Sequence, residues 1–86
     1  MHAVVADVEI HDRDEARKGL EHVLPMIKEA PGFVAGYWIH LDATHGTSVV
    51  VFDTKEQALA GAPVEGDSSP GVTFTRVVDG EILASA

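Results

Sequence analysis

In the stretch "GYWIH", residues 36 to 40, Trp38 and His40 stand two residues apart and so share one face of a strand. An indole can stack on a flat ligand and donate its N–H, and an imidazole can take a proton near neutral pH. The pair is therefore a candidate corner for binding and general-base chemistry. His22 lies beside Val23 on a helical stretch and is a second candidate base if that helix faces a pocket. Arg76 sits in "VTFTRVVD", where the two-residue period groups it with Val72, Phe74 and Val78. A lone guanidinium on an apolar face must find an acid, Asp7 or Glu9, or an anionic ligand. Tyr37, Phe52 and Phe74 complete the candidate lining, with Tyr37 the one able to place a hydroxyl in a cavity.

Each residue also has a plain structural role open to it. Trp38 can anchor a dimer face or fill a core, because aromatic residues are common at interfaces as well as in pockets. No nucleophile or orienting acid is fixed beside His40, which can equally be a solvated strand-end residue. His22 can rim a core, Arg76 can be held in a salt bridge, and Phe52 and Phe74 can be core. His2, His11, His22, His40 and His45 follow no compact ligand spacing, so no metal is expected. No glycine-rich loop has the context of a phosphate cradle, and no cofactor is expected.

The chain has no cysteine, which removes disulfides, thiolate metal sites and a cysteine nucleophile together. Six Lys and Arg against fourteen Asp and Glu give a formal net charge of −8, which repels phosphate backbones and anionic headgroups. Neither nucleic acid nor membrane is an expected partner. The start "MHAVVADVEIHD" lacks a basic region and its apolar run is broken by Asp7 and Glu9, so a cytoplasmic protein is expected.

The elements that must position these side chains read as follows. Residues 2–11 alternate, with Val4, Ala6, Val8 and Ile10 on one face, and predict a strand. Asp12 with Glu15 forms a capping box, after which Ala16, Leu20, Val23, Leu24 and Ile27 give an apolar helical stripe opposite a charged face with the pair Asp14 and Lys18. Pro25 is expected to kink this helix or end its regular part. A second strand runs from about Phe33 to Leu41, with Phe33, Ala35, Tyr37 and Ile39 on one side and Val34, Gly36, Trp38 and His40 on the other. "DATHG" is a turn into a third strand, 46–53; Thr54 with Gln57 caps a short helix, "KEQALAGA"; "PVEGDSSPG" is a loop; and 72–79 is a fourth strand.

Strand, helix, strand, strand, helix, strand over 86 residues predicts one α+β domain, a four-stranded antiparallel sheet with both helices on one face in the ferredoxin-like βαββαβ arrangement. A domain this small buries only about 60% of its unfolded surface. The second and third strands are apolar on both faces, yet no element is left to cover the far side of the sheet. A homodimer packed sheet on sheet is the expected solution.

The segments "VLPMIKEAPGFVAGYWI" and "GTSVVVFDTKEQALA", with a proline inside the first helix, Pro-Gly-Phe before strand two and a capped second helix after strand three, resemble the antibiotic biosynthesis monooxygenase-like domains of the dimeric α+β barrel superfamily. The resemblance covers most of the chain. It implies a homodimeric barrel with a pocket in each subunit between sheet and helices, binding a hydrophobic, aromatic small molecule, and cofactor-independent oxygenase activity among the activities of the family. Members of the family also include dimers with no assigned reaction, so a non-catalytic binding or stress-related dimer is the alternative. The oxygenases and haem-degrading members generally carry an asparagine in the site, and this chain has none. No catalytic residue is carried over from those motifs.

Overall fold

The structure, a computed structural model, describes residues 1–86. Its elements are β1 (His2–Ile10), α1 (Arg13–Lys28), β2 (Phe33–His40), β3 (His45–Phe52), α2 (Lys55–Gly61), β4 (Ser68–Ser69) and β5 (Val72–Glu81). They build an α+β domain on one antiparallel sheet in the order β2-β3-β1-β5-β4. The sheet has five strands rather than four. The fifth is the short edge strand β4, formed where two serines of the expected loop fold back on the start of β5 through Ser68–Thr73 and Ser69–Val72. No helix is long and apolar enough to cross a membrane.

Both helix starts form as their sequences dictate. The Asp12 carboxylate accepts from the Glu15 N–H at 3.0 Å, and the Thr54 hydroxyl accepts from the Gln57 N–H at 3.2 Å. The reciprocal half of the first box is supplied differently: the carbonyl of Gly71 accepts from the N–H groups of His11 and Asp12, at 2.7 and 3.3 Å. That glycine has φ 77°, and a Cβ there would meet the Asp12 carbonyl at 2.5 Å and the Ala16 nitrogen at 2.6 Å. The corner before α1 is thus tied to the start of β5 at a position only glycine fits.

Pro25 does not end α1, which continues to Lys28. It forfeits one bond, that to the Glu21 carbonyl. The last turn then tightens through Glu29 N–H to Met26 and Ala30 N–H to Ile27. On the charged face, Asp14 approaches Arg17 at 4.0 Å rather than pairing with Lys18.

Two register shifts change which side chains share a face. Between Phe33 and Ala35 the pairing with β3 slips, so Phe33 joins Gly36, Trp38 and His40 on the helix side, while Ala35, Tyr37 and Ile39 point away. On β5 the partner of Asp7 is Arg76 but the partner of Val8 is Phe74, leaving Thr75 as the extra residue. Val72 and Phe74 therefore face the helices with Val77, and Arg76 faces the other side with Val78. The single apolar face expected for Val72, Phe74, Arg76 and Val78 is divided at this bulge.

The core lies beneath α2. Val4, Phe52 and Ala58 are its buried centre, with Phe33, Ala30, Val50, Ala62 and Val77 around them, and the Phe33 and Phe52 rings meet edge to face at 6.4 Å. No residue of α1 is buried. The far face of the sheet is uncovered: Tyr37 is 61% exposed, Ile39 46% and Val78 39%.

Candidate functional site

Because α1 stands off the sheet, a cleft of about 1270 Å³ opens between them. Its helix wall is the expected stripe without Leu24, namely Ala16, Leu20, Val23 and Ile27; its floor is the helix side of the sheet, including Val8, Ile10, Val50, Val72 and Phe74. Along β3 the floor carries the small residues Gly46 and Ser48, with Val8 and Ile10 packed beside Gly46, 3.3 and 3.5 Å from where its Cβ would stand. Polar residues share the lining, among them Arg13, Asp14, Arg17, Asp67, Ser68 and Ser69, so the cleft is of mixed character and of a size that would admit a multi-ring compound.

Of the candidate residues, Trp38, His40 and Phe74 line this cleft. Trp38 lies on the helix side, so it is not an anchor of the uncovered face. The far edge of its six-membered ring occupies the space a Cβ on Gly36 would take, with Cη2 2.6 Å from that position, so the glycine lets the ring lie down against the strand. The candidate lining does not otherwise converge. Phe52 is 2% exposed and belongs to the core. His22 is exposed on α1 and is not among the cleft residues.

Tyr37 and Arg76 lie on the opposite face of the sheet. There Arg76 Nη1 approaches Asp7 Oδ2 at 3.7 Å, the acidic partner anticipated for it, and the Thr47 hydroxyl donates to Asp7 Oδ1 at 2.9 Å. With both groups exposed enough to be hydrated, the ion pair itself adds little stability. Its position is more informative: a charged pair set among Val5, Val49 and Val78 on the uncovered side.

Elsewhere the polar clusters are satisfied within themselves. His2 Nε2 meets Asp79 Oδ2 at 2.7 Å, and this hydrogen bond holds the Asp79 carboxyl below the usual aspartate range. In the β2–β3 turn, the Thr44 N–H donates to Asp42 at 2.9 Å and His45 Nδ1 stands 3.0 Å from the same carboxylate. These bonds, the backbone one foremost, lower Asp42 likewise. His11 Nε2 meets the Thr73 hydroxyl at 2.8 Å. No three His, Asp or Glu side chains converge on one point.

Several cleft residues escape the sequence reading, Ser48 and Arg13 among them. Ser48 lies directly opposite Trp38 and faces the cleft, and Arg13 lines it from the first turn of α1. The signal for Ser48 is its place as the lone hydroxyl in the series Gly46, Ser48, Val50, Phe52, the face of β3 that pairs with Trp38 and His40. The signal for Arg13 is its spacing, three and seven residues before Ala16 and Leu20, which sets it in line with the apolar stripe of α1. No protein-family model, curated protein or solved structure matches the chain.

Proposed function

We propose that this chain is a small-molecule binding protein of the ferredoxin-like, dimeric α+β barrel kind, a homodimer whose cleft between α1 and the sheet takes a hydrophobic, aromatic ligand. The observation that carries the reading is the cleft itself: a sixteen-residue amphipathic helix leaves its apolar stripe at most half-buried over the helix side of the sheet. Each fully buried aliphatic side chain contributes about 1.5–3 kcal/mol. A ligand that filled the space would recover part of what Leu20, Val23 and Ile27 forgo. The uncovered side, with Tyr37, Ile39 and Val78 exposed around the Asp7–Arg76 pair, supports a second copy packed sheet on sheet.

Oxygenase activity without a cofactor belongs to the same proposal through the family resemblance. The cleft narrows its chemistry. His40 is the candidate base that reaches it, so His40 would take the proton of a phenol; the phenolate, carbanionic at a ring carbon, would reduce O2 and form a C–O bond as a hydroperoxide, whose O–O bond then breaks with loss of water to leave a quinone. The alternative, a binding dimer with no reaction, is favoured by the environment of His40: it is exposed, and no carboxylate orients its ring.

The experiment is sedimentation at micromolar concentration followed by titration with 1-naphthol, monitored through Trp38 fluorescence and oxygen uptake. A dimer whose single tryptophan is quenched saturably supports the binding reading, and oxygen consumption lost in His40→Ala adds the enzyme. A stable monomer whose fluorescence ignores the ligand overturns both.

A further inference from the structure

We infer that the cleft takes its ligand as a cation, a ring compound carrying a protonated amine, with the ammonium seated between the Asp67 carboxylate, the Ser69 hydroxyl and the Phe74 ring at the β4–β5 edge. This rests on the cleft being a binding site and goes on to assign the charge of what enters it. The seat is built by a bulge. The Gly66 N–H donates to the Phe74 carbonyl at 2.8 Å and the Phe74 N–H donates to the Asp67 carbonyl at 2.9 Å, so Gly66 and Asp67 together stand opposite one residue. Gly66 has φ 91°, and the Asp67 N–H closes a turn onto the Val64 carbonyl at 3.0 Å. A left-handed glycine followed by a residue that shares its partner is a form of bulge that re-aims a side chain. Here Asp67 is brought beside Phe74, and both line the cleft. Ser69, two residues on and therefore on the same side of β4, pairs with Val72 and lines the same wall.

Asp67 is the acid of the cleft that nothing else in the molecule engages. Asp12 accepts the capping N–H of Glu15, and Asp14 has Arg17 at 4.0 Å, whereas the Asp67 carboxylate has no cation within 4.0 Å and accepts no hydrogen bond. The Ser69 hydroxyl is likewise free, while that of Ser68 meets Thr73 at 3.3 Å. The arginines of the cleft are carried to its other flank. Pro70 lies against Gly19, 3.5 Å from where a Cβ would stand. At about 100° per residue, Arg13 and Arg17 leave α1 about 120° and 160° round from that contact.

An ammonium has three donors and no acceptor, so a carboxylate and a hydroxyl answer it directly, and the negative face of an aromatic ring attracts the same charge. The chain's formal net charge of −8 acts in the same sense, raising the local concentration of cations and lowering that of anions. With its ammonium at the β4–β5 edge, the apolar body of the ligand lies along Val8 and Val72 beneath Leu20 and Val23. Asp67 is then the residue that distinguishes an amine from a neutral ring of the same shape.

The test compares 1-naphthylmethylamine, a cation at neutral pH, with the neutral 1-naphthalenemethanol and the anionic 1-naphthoate, by ¹H–¹⁵N NMR titration of the full chain at low salt. The amine should bind about tenfold tighter than the alcohol, the sum of one exposed ion pair and one contact between a cation and a ring. Naphthoate should bind most weakly, and the amide resonances of Gly66, Asp67 and Phe74 should move most for the amine. Asp67→Asn, which keeps the shape of an exposed side chain, should bring the ratio of amine to alcohol toward one. Phe74→Leu should lower that ratio in part. An amine preference that survives Asp67→Asn undiminished would overturn the seat and leave only the net charge to explain it. Equal affinities for amine and alcohol, or a preference for naphthoate, with cleft amides perturbed would overturn the inference while leaving the cleft reading intact. Failure of all three probes to perturb any cleft amide would overturn the cleft reading and this inference with it.

Discussion

The two helices of this domain are used in opposite ways. The seven residues of α2 are anchored by Ala58, wholly buried against Val4 and Phe52, and the end of the helix lies so close that a Cβ on Gly61 would stand 2.8 Å from the Phe52 ring. The sixteen residues of α1 have the clearer amphipathic pattern, yet none is fully buried, and Ala16, Leu20, Leu24 and Ile27 are only half-buried. Helix length and periodicity therefore do not decide what packs here. Small residues let α2 approach the sheet, whereas α1 is held at its start by Gly71 and at its end by the turn into β2, and spans the space between.

Phe52→Ala should be the most damaging change on the α2 side, costing about 3–5 kcal/mol in urea unfolding because the ring is nearly fully buried. A loss below about 1 kcal/mol would remove the contrast between the helices. Gly71→Ala comes next, since it forces a side chain into a left-handed position against the backbone before α1. A loss of about 1–3 kcal/mol is expected, accompanied by a change in Trp38 emission as α1 shifts, while amide exchange under α2 stays slow. Leu20→Ala on the wall of the cleft should cost only about 1 kcal/mol, against about 2–5 for a fully buried leucine. A full-sized penalty in the unliganded protein would mean that α1 closes onto the sheet in solution.

The smallest effect is expected at the far end of β1. Hydrogen bonding to His2 depresses Asp79 in the folded state, so its contribution is present above the ordinary aspartate range and is lost as pH falls through the lowered value. Asp79→Asn should flatten that part of the acid-unfolding profile, measured by circular dichroism between neutral pH and pH about 2. An unchanged profile would show that the His2–Asp79 contact does not outlast thermal motion.

The parts of this architecture legible in the sequence are those set by neighbours along the chain. Asp12 and Thr54 act as caps because the groups they satisfy lie three residues on, and the alternation of Val4, Ala6, Val8 and Ile10 survives because β1 is central and continuous. The register shifts at Val34 and Thr75 were not legible, since a bulge is defined by the partner strand. They alone moved Phe33 and Phe74 to the helix side and left Arg76 on the other. Strand β4 is similar: Ser68 and Ser69 have loop-forming side chains, and it is the backbone of β5 that makes them a strand. In the cleft, the aromatic and histidine members could be named from "GYWIH", but Ser48 gained significance only once its pairing with Trp38 was known.

The ladder between β1 and β5 sets His2 opposite Glu81, and the Ile82 N–H donates to the Met1 carbonyl at 3.1 Å. The beginning and end of the domain thus leave from one spot on its rim. A few added glycines would join them, and fresh termini could be opened at the exposed turn around Ala43 without severing any strand pairing. The same adjacency would let two copies be written as one tandem polypeptide, in which each half could carry a different cleft.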